Sequence, residues 1–244
     1  MSGHSKWANI KHKKEKTDAQ KAKVFTKIGK EIAVAVKAGG GDPNSNSKLR
    51  DLIQKAKSNN VPNDNIDRII KKAMGAQGED YEEITYEGYG PGGVAVIVET
   101  TTDNRNRTAG NVRSYFNKYH GNMGTSGCVS FLFEEKGVII VNNEDGDIDE
   151  DKLMETALEA GAEDFAAGEG VFEIYTVVDD LYDIKEALEA QKYPILSAEK
   201  DKIASTSVEL TDPDDIKFMG LLIDMLEDDD DDVMNVYHNW ENCD

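Results

Sequence analysis

The spacing of apolar residues changes period once, near Gly78, and that change sets the class of fold open to the chain. Before it, apolar side chains recur as Ala22, Phe25, Ile28, Ile32, Ala35 and Val36, then as Leu49, Leu52, Ile53 and Ala56, then as Ile66, Ile69, Ile70 and Ala73. These are the i, i+3, i+4, i+7 spacings of helices that bury one face. Thr17 and Gln20 form a capping-box pair at the start of the first helix, and Gly39, Gly40 and Gly41 stop it. After Gly78 the pattern becomes an alternation of short apolar runs and helical stretches. One series predicts strand 94–101, helix 105–119 and strand 128–134, resuming as strand 206–210, helix 214–227 and strand 233–238. Between its halves lies a second: strand 138–142, helix 150–160, strands 163–167 and 171–177, helix 180–191 and strand 195–204. Each has the split β-α-β-β-α-β order. The predicted architecture is α+β, with an N-terminal three-helix domain followed by two ferredoxin-like units, one inserted into the other. The boundaries are 1–78, then 79–135 with 206–244, and 136–205 for the insertion.

Charge divides along the same line. The first 72 residues hold 17 Lys and Arg against 7 Asp and Glu, whereas the whole chain has a net charge of −20. An acidic body repels polyanions, and distant charges are screened beyond about 8 Å at physiological salt, so contact with a polyanion is expected to be local and through the basic end. There the opening segment clusters Lys6, Lys11, Lys13, Lys14 and Lys16 around Trp7, with His4 and His12 able to hydrogen-bond to phosphate. Cationic heads neutralise phosphates while a flat ring stacks on a base, so these residues are the first nucleic-acid-binding candidates. The first helix extends the set. Lys16, Lys23, Lys27, Lys30 and Lys37 fall in a stripe opposite its apolar face, which adds Lys23, Lys27 and Lys30 to the candidates.

The second and third helices, joined through 59–62, read as an αα-hairpin with Arg50, Lys55, Lys57, Arg68, Lys71 and Lys72 on its surface. A recognition helix would put its first turn against base edges, and Asp64 and Asp67 give that turn the wrong sign. A secondary anion-binding candidate is Arg105, Arg107 and Arg113 on a helix that Asp103 is placed to cap. The same arginines could instead pair with the surrounding carboxylates.

Other classes find little support. Gly88, Gly90 and Gly93 spell a dinucleotide fingerprint, but a strand follows where a helix is required, which predicts a tight connection between strands. The run from Glu227 to Asp232 reads as a solvated loop, in which exchanging three aspartates would cost no more than about 0.5 kcal/mol. No metal site, cofactor or catalytic residue is expected, and no small-molecule substrate. Cys128 and Cys243 lack paired spacing, which points to a reducing compartment; with no apolar run of about 20 residues, the expected location is the cytoplasm, away from membranes.

Long motifs then give the chain a resemblance. Residues 3–12 (GHSKWANIKH), 39–43 (GGGDP), 86–93 (YEGYGPGG) and 103–108 (DNRNRT) resemble the YebC/PmpR family along essentially the whole chain. Asn63 stands where many members have Lys, removing one possible phosphate contact, and Cys128 where Ser is usual. The resemblance implies a three-domain, non-enzymatic cytoplasmic protein of a group labelled as probable transcriptional regulators that bind DNA. Some relatives are translational activators or associate with ribosomes stalled on proline-rich sequences. Two partners are thus implied, DNA or ribosomal RNA within the ribosome, and both readings use the same basic residues.

Overall fold

Three amphipathic helices open the chain in the computed structural model, which describes residues 18–75, 80–168 and 170–242. They are α1 (Asp18–Gly39), α2 (Ser47–Ser58) and α3 (Asn63–Met74). The expected capping box at Thr17 lies outside the described residues. The periodic positions do form the core: Ile28, Ile32, Ala35, Leu49, Leu52, Ala56, Ile66 and Ala73 are buried together. The α1–α2 link is tied by Asn46, whose side chain accepts from Leu49 N at 3.1 Å and donates to Ala35 O and Gly40 O at 2.8 Å each. A side chain at Gly39 would collide with Asn46, which is buried and held by three hydrogen bonds, so packing favours glycine there.

The rest of the chain contains β1 (Glu82–Tyr89), β2 (Ala95–Thr102), α4 (Arg105–Lys118), β3 (Asn122–Met123), β4 (Phe133–Asn142), α5 (Glu150–Glu159), β5 (Asp164–Gly168), β6 (Val171–Thr176), α6 (Leu181–Ala190), β7 (Ile195–Ala204), α7 (Pro213–Asp224) and β8 (Val233–His238). A π-helical turn, Met225–Asp229, continues α7. By their contacts the described residues fall into two units, one from 133–207 and the other from the residues up to Leu132 together with 208–242. The fold is α+β.

In the 133–207 unit the sheet order is β5-β6-β4-β7, antiparallel throughout. With α5 and α6 joining its strands, this is the ferredoxin-like arrangement expected from the sequence. Ile139, Val141, Leu153, Ile174, Ile184 and Leu188 fill the space between sheet and helices. The unit starts at Phe133, which pairs with Ala204, because β4 runs unbroken through Gly137.

The other sheet has the order β3-β1-β2-β8, with Val96, Val98, Val112, Phe116, Met219, Leu222 and Val236 beneath it. Its strands correct two of the expected ones. Residues 128–134 do not form a strand ahead of Phe133, because the Glu87 carboxylate takes the N–H groups of Gly127, Val129 and Ser130 at 2.7, 2.9 and 2.8 Å. Donors so engaged cannot build a ladder. Residues 206–210 supply only a single parallel bridge, Val208 to Trp240. The vacated place beside β2 is filled by β1, ahead of the first βα unit, where Glu82, Glu83, Glu87 and Gly88 obscure the alternation. The turn between β1 and β2 is the tight connection that the glycines predict, with Gly92 and Gly93 at φ 64° and 81°.

Glu87 is 4 % exposed, and its carboxyl lies below its ordinary value: burial pulls it up, but the three backbone donors pull it down further. Glu87→Gln halves the acceptor capacity and removes the charge, and should destabilise the protein by about 2 kcal/mol in urea unfolding at pH 7. A group whose carboxyl is depressed on folding stabilises above its unfolded pKa. The difference between wild type and variant should therefore shrink as the pH falls below about 4.

Candidate nucleic-acid interface

The lysine stripe of α1 and the acidic run after α7 meet. Lys27 donates to the carbonyl of Glu227 at 2.6 Å, Lys23 to that of Asp228 at 2.7 Å, and Lys30 to that of Asp231 at 2.8 Å. Positions i, i+4 and i+7 stack along one helix face, so the three ammonium groups reach carbonyls between Glu227 and Asp231, where α7 and its π turn run out. The C-terminal end of a helix carries its negative pole, which makes cations natural complements of the Glu227 and Asp228 carbonyls. The expected open rail is thus corrected: in this structure Lys23, Lys27 and Lys30 face protein oxygens. Lys37 likewise pairs with Asp80.

The expected solvated loop is corrected as well. Asp230 and Asp232 are each 5 % exposed. Asp232 receives Lys30 at 2.8 Å, Arg107 at 2.7 Å, Thr108 Oγ1 at 2.9 Å and Thr102 Oγ1 at 3.0 Å. Burial alone would raise its carboxyl, but the donors, led by Arg107 and Lys30, outweigh that and bring it down to about 2. Asp230 accepts from Tyr115 Oη at 3.2 Å and from the Asp232 N–H at 2.9 Å. A run of one residue type hides this difference between its members. The legible signal was the alternation Asp230, Asp232 leading into β8, which puts both on one side of the chain.

The arginine candidates separate. Arg107 is held between Asp232 and Asp103, both at 2.7 Å, and these bonds raise its pKa. That is the carboxylate-pairing alternative. Arg105 and Arg113 are exposed and make no ion pair with a described carboxylate; their charges act on Tyr86, whose hydroxyl burial pushes up. The cap of α4 is Asn104, which accepts from Arg107 N at 3.1 Å, and not Asp103, which is drawn to the Arg107 guanidinium.

The candidates His4, Lys6, Trp7, Lys11, His12, Lys13, Lys14 and Lys16 lie outside the described residues. On α2 and α3 the cations Lys48, Arg50, Lys57, Arg68, Lys71 and Lys72 are exposed, Lys48 being paired with Glu83. None of the described helices is long and apolar enough to cross a membrane.

Comparison with known proteins places these features in a family. A probable transcriptional regulatory protein of Acetivibrio thermocellus is 60% identical over 241 residues, covering 98% of this chain and 99% of its own. One of Ruminiclostridium cellulolyticum, with the same description, is 59% identical over 242 residues, covering 99% and 97%. A crystal structure of a conserved hypothetical protein from Aquifex aeolicus superposes with a TM-score of 0.85 at 48% identity, covering 97% of each chain. Family models described as the TACO1/YebC protein N-terminal domain and the TACO1/YebC second and third domain match residues 5–76 and 81–240. With both models matched in sequence order and relatives aligned nearly end to end, the chain belongs to the TACO1/YebC family.

Proposed function

We propose that this protein is a non-enzymatic, cytoplasmic regulator of gene expression that binds nucleic acid through its basic N-terminal region. The observation that carries the reading is the outward basic surface of α2 and α3 on a chain of net charge −20. In the structure Lys23, Lys27 and Lys30 of α1 donate to protein carbonyls, and Arg50, Lys57, Arg68, Lys71 and Lys72 are exposed. Such a surface suits phosphate contact, which positions a protein on nucleic acid without reading sequence. The relatives' description as probable transcriptional regulatory proteins supports DNA as the target.

A second reading, a translation factor seated on ribosomal RNA, is favoured by one feature. The first turn of α3 carries Asp64, and its start at Pro62 has no side-chain cap. A carboxylate there opposes insertion into a major groove, whereas irregular RNA offers backbone and unstacked bases to the same surface. Sedimentation and footprinting separate the two. On the ribosomal reading the protein should travel with ribosomes at moderate salt and bind DNA with little sequence preference. A discrete operator bound about a thousandfold tighter than random duplex, with no ribosome association, establishes the DNA reading instead.

A further inference from the structure

A cleft of about 320 Å³ lies between α1 and α3 and is closed at one side by Tyr81. Its volume is at the lower end of the range of roughly 300–1,000 Å³ for small-ligand sites. Phe25 and Ala33 of α1 and Ile69 of α3 give it an apolar interior. The helices pack closely at Gly29, where an added Cβ would sit 3.3 Å from Ile69 Cδ1. The small side chain of Ala33, one turn on, keeps the space beside that contact open.

The lining is set apart by its charge. Among the described residues Lys30, Lys37, Arg68 and Lys72 contribute to it and no carboxylate does, although the chain has 48 acidic residues and 28 basic ones. A neighbouring depression that shares Lys30 and Tyr81 is lined by four aspartates, so the sign changes across those two residues. The Lys30 ammonium lies 5.7 Å from the centre of the Tyr81 ring. Lys37 is paired with Asp80, whose side chain is fully exposed, and such a pair is worth little in water. A phosphate can take the place of Asp80. Arg68 and Lys72 are exposed at the rim, with Arg68 braced on Asn65 Oδ1 at 3.1 Å.

We propose that this cleft seats one unpaired nucleotide of a single-stranded nucleic acid, its base in the apolar interior against Tyr81 and its flanking phosphates on Arg68, Lys72 and Lys37. The proposal rests on the nucleic-acid reading above and adds to it a place and a preference for unpaired strands. A cleft of about 320 Å³ has room for a base, and a duplex keeps its base faces inside the stack. An apolar slot with a cationic rim thereby selects a strand whose bases are free.

The test uses the full-length protein with a fluorescein-labelled 15-nucleotide uridine RNA and a 15-base-pair RNA duplex, read by fluorescence anisotropy across a salt series. Ala33→Leu fills the cleft and Tyr81→Ala removes its aromatic wall, and neither changes the charge. Each should weaken single-strand binding about tenfold, leave duplex binding unchanged and keep the salt slope. Arg68→Gln with Lys72→Gln, at exposed positions that do not carry the core, should flatten the single-strand slope by about 1.4. Unchanged single-strand affinity in all the variants, or equal losses on strand and duplex, overturns the cleft while leaving the nucleic-acid reading intact. Failure of the wild type to bind either probe overturns both. Thermal unfolding of each variant ensures that a loss reflects the site, and should Ala33→Leu not fold, the Tyr81→Ala and rim variants decide.

Discussion

Replacing Asp232 by Asn should lower the stability of the protein by about 3 kcal/mol at pH 7, the largest effect expected of any single exposed-charge-free substitution in the acidic run. The carboxylate is 5 % exposed and accepts four hydrogen bonds, from Lys30, Arg107, Thr102 and Thr108. An amide has one acceptor oxygen and turns two donors toward partners that are themselves donors. Lys30 is then left largely buried without its counter-charge, whereas Arg107, which is 46% exposed, recovers part of its loss through water and Asp103. Asp231→Asn, at an exposed position that engages Lys30 through its backbone carbonyl, should change stability by less than about 0.5 kcal/mol. The pH dependence follows from the sign of the shift. With its carboxyl brought down to about 2 on folding, Asp232 stabilises fully above the unfolded carboxylate range near 4, and the contribution drains away as pH falls from there toward 2. Urea unfolding of wild type and variant at pH 7, 4 and 3 checks both statements. A gap that does not narrow on acidification contradicts the assignment of Asp232 as the ionised hub.

Deleting residues 1–16 should weaken nucleic-acid binding by two orders of magnitude or more at physiological salt while leaving the unfolding transition nearly unchanged. Among the described residues the core of the helical region is built from Val24 to Ala73, and the sequence starts the first helix at Thr17, after the deleted segment. The deletion removes Lys6, Lys11, Lys13, Lys14 and Lys16. Each phosphate contact contributes about 0.7 to the log-log salt slope on a single strand and about 0.9 on a duplex, so the slope should flatten by about 3.5 or 4.5. Trp7→Ala should reduce affinity with little change in slope, because stacking releases few counterions. These values matter more given how α1 is used: with Lys23, Lys27 and Lys30 on protein carbonyls, the first helix adds little to the slope. An intact slope in the truncated protein moves the phosphate contacts to α2 and α3.

The family was legible in the sequence because it is carried by contiguous motifs, which alignment reads without a fold. The three helices were legible because local periodicity decides them, as was the inserted ferredoxin-like unit, where the apolar run 138–141 and the 171–176 strand flank helical stretches of clear period. The outer sheet was harder. The apolar run at 128–134 looks like a strand until Glu87, some 40 residues earlier, is seen to hold the N–H groups of Gly127, Val129 and Ser130. No local pattern records that competition.

The division for function is of the same kind. Sequence by itself determined the sum and the segregation of charge, since both are fixed by composition and order. Only the tertiary structure decided which charges face water: it set Lys23, Lys27 and Lys30 against the end of α7, sank Asp230 and Asp232 into hydrogen-bonded positions, and separated Arg107 from Arg105 and Arg113. The physical reason is that a lysine's helical position fixes its direction from the axis but not what lies there. Its partner, here a backbone carbonyl about 200 residues away, is brought within hydrogen-bond reach only when the chain has folded.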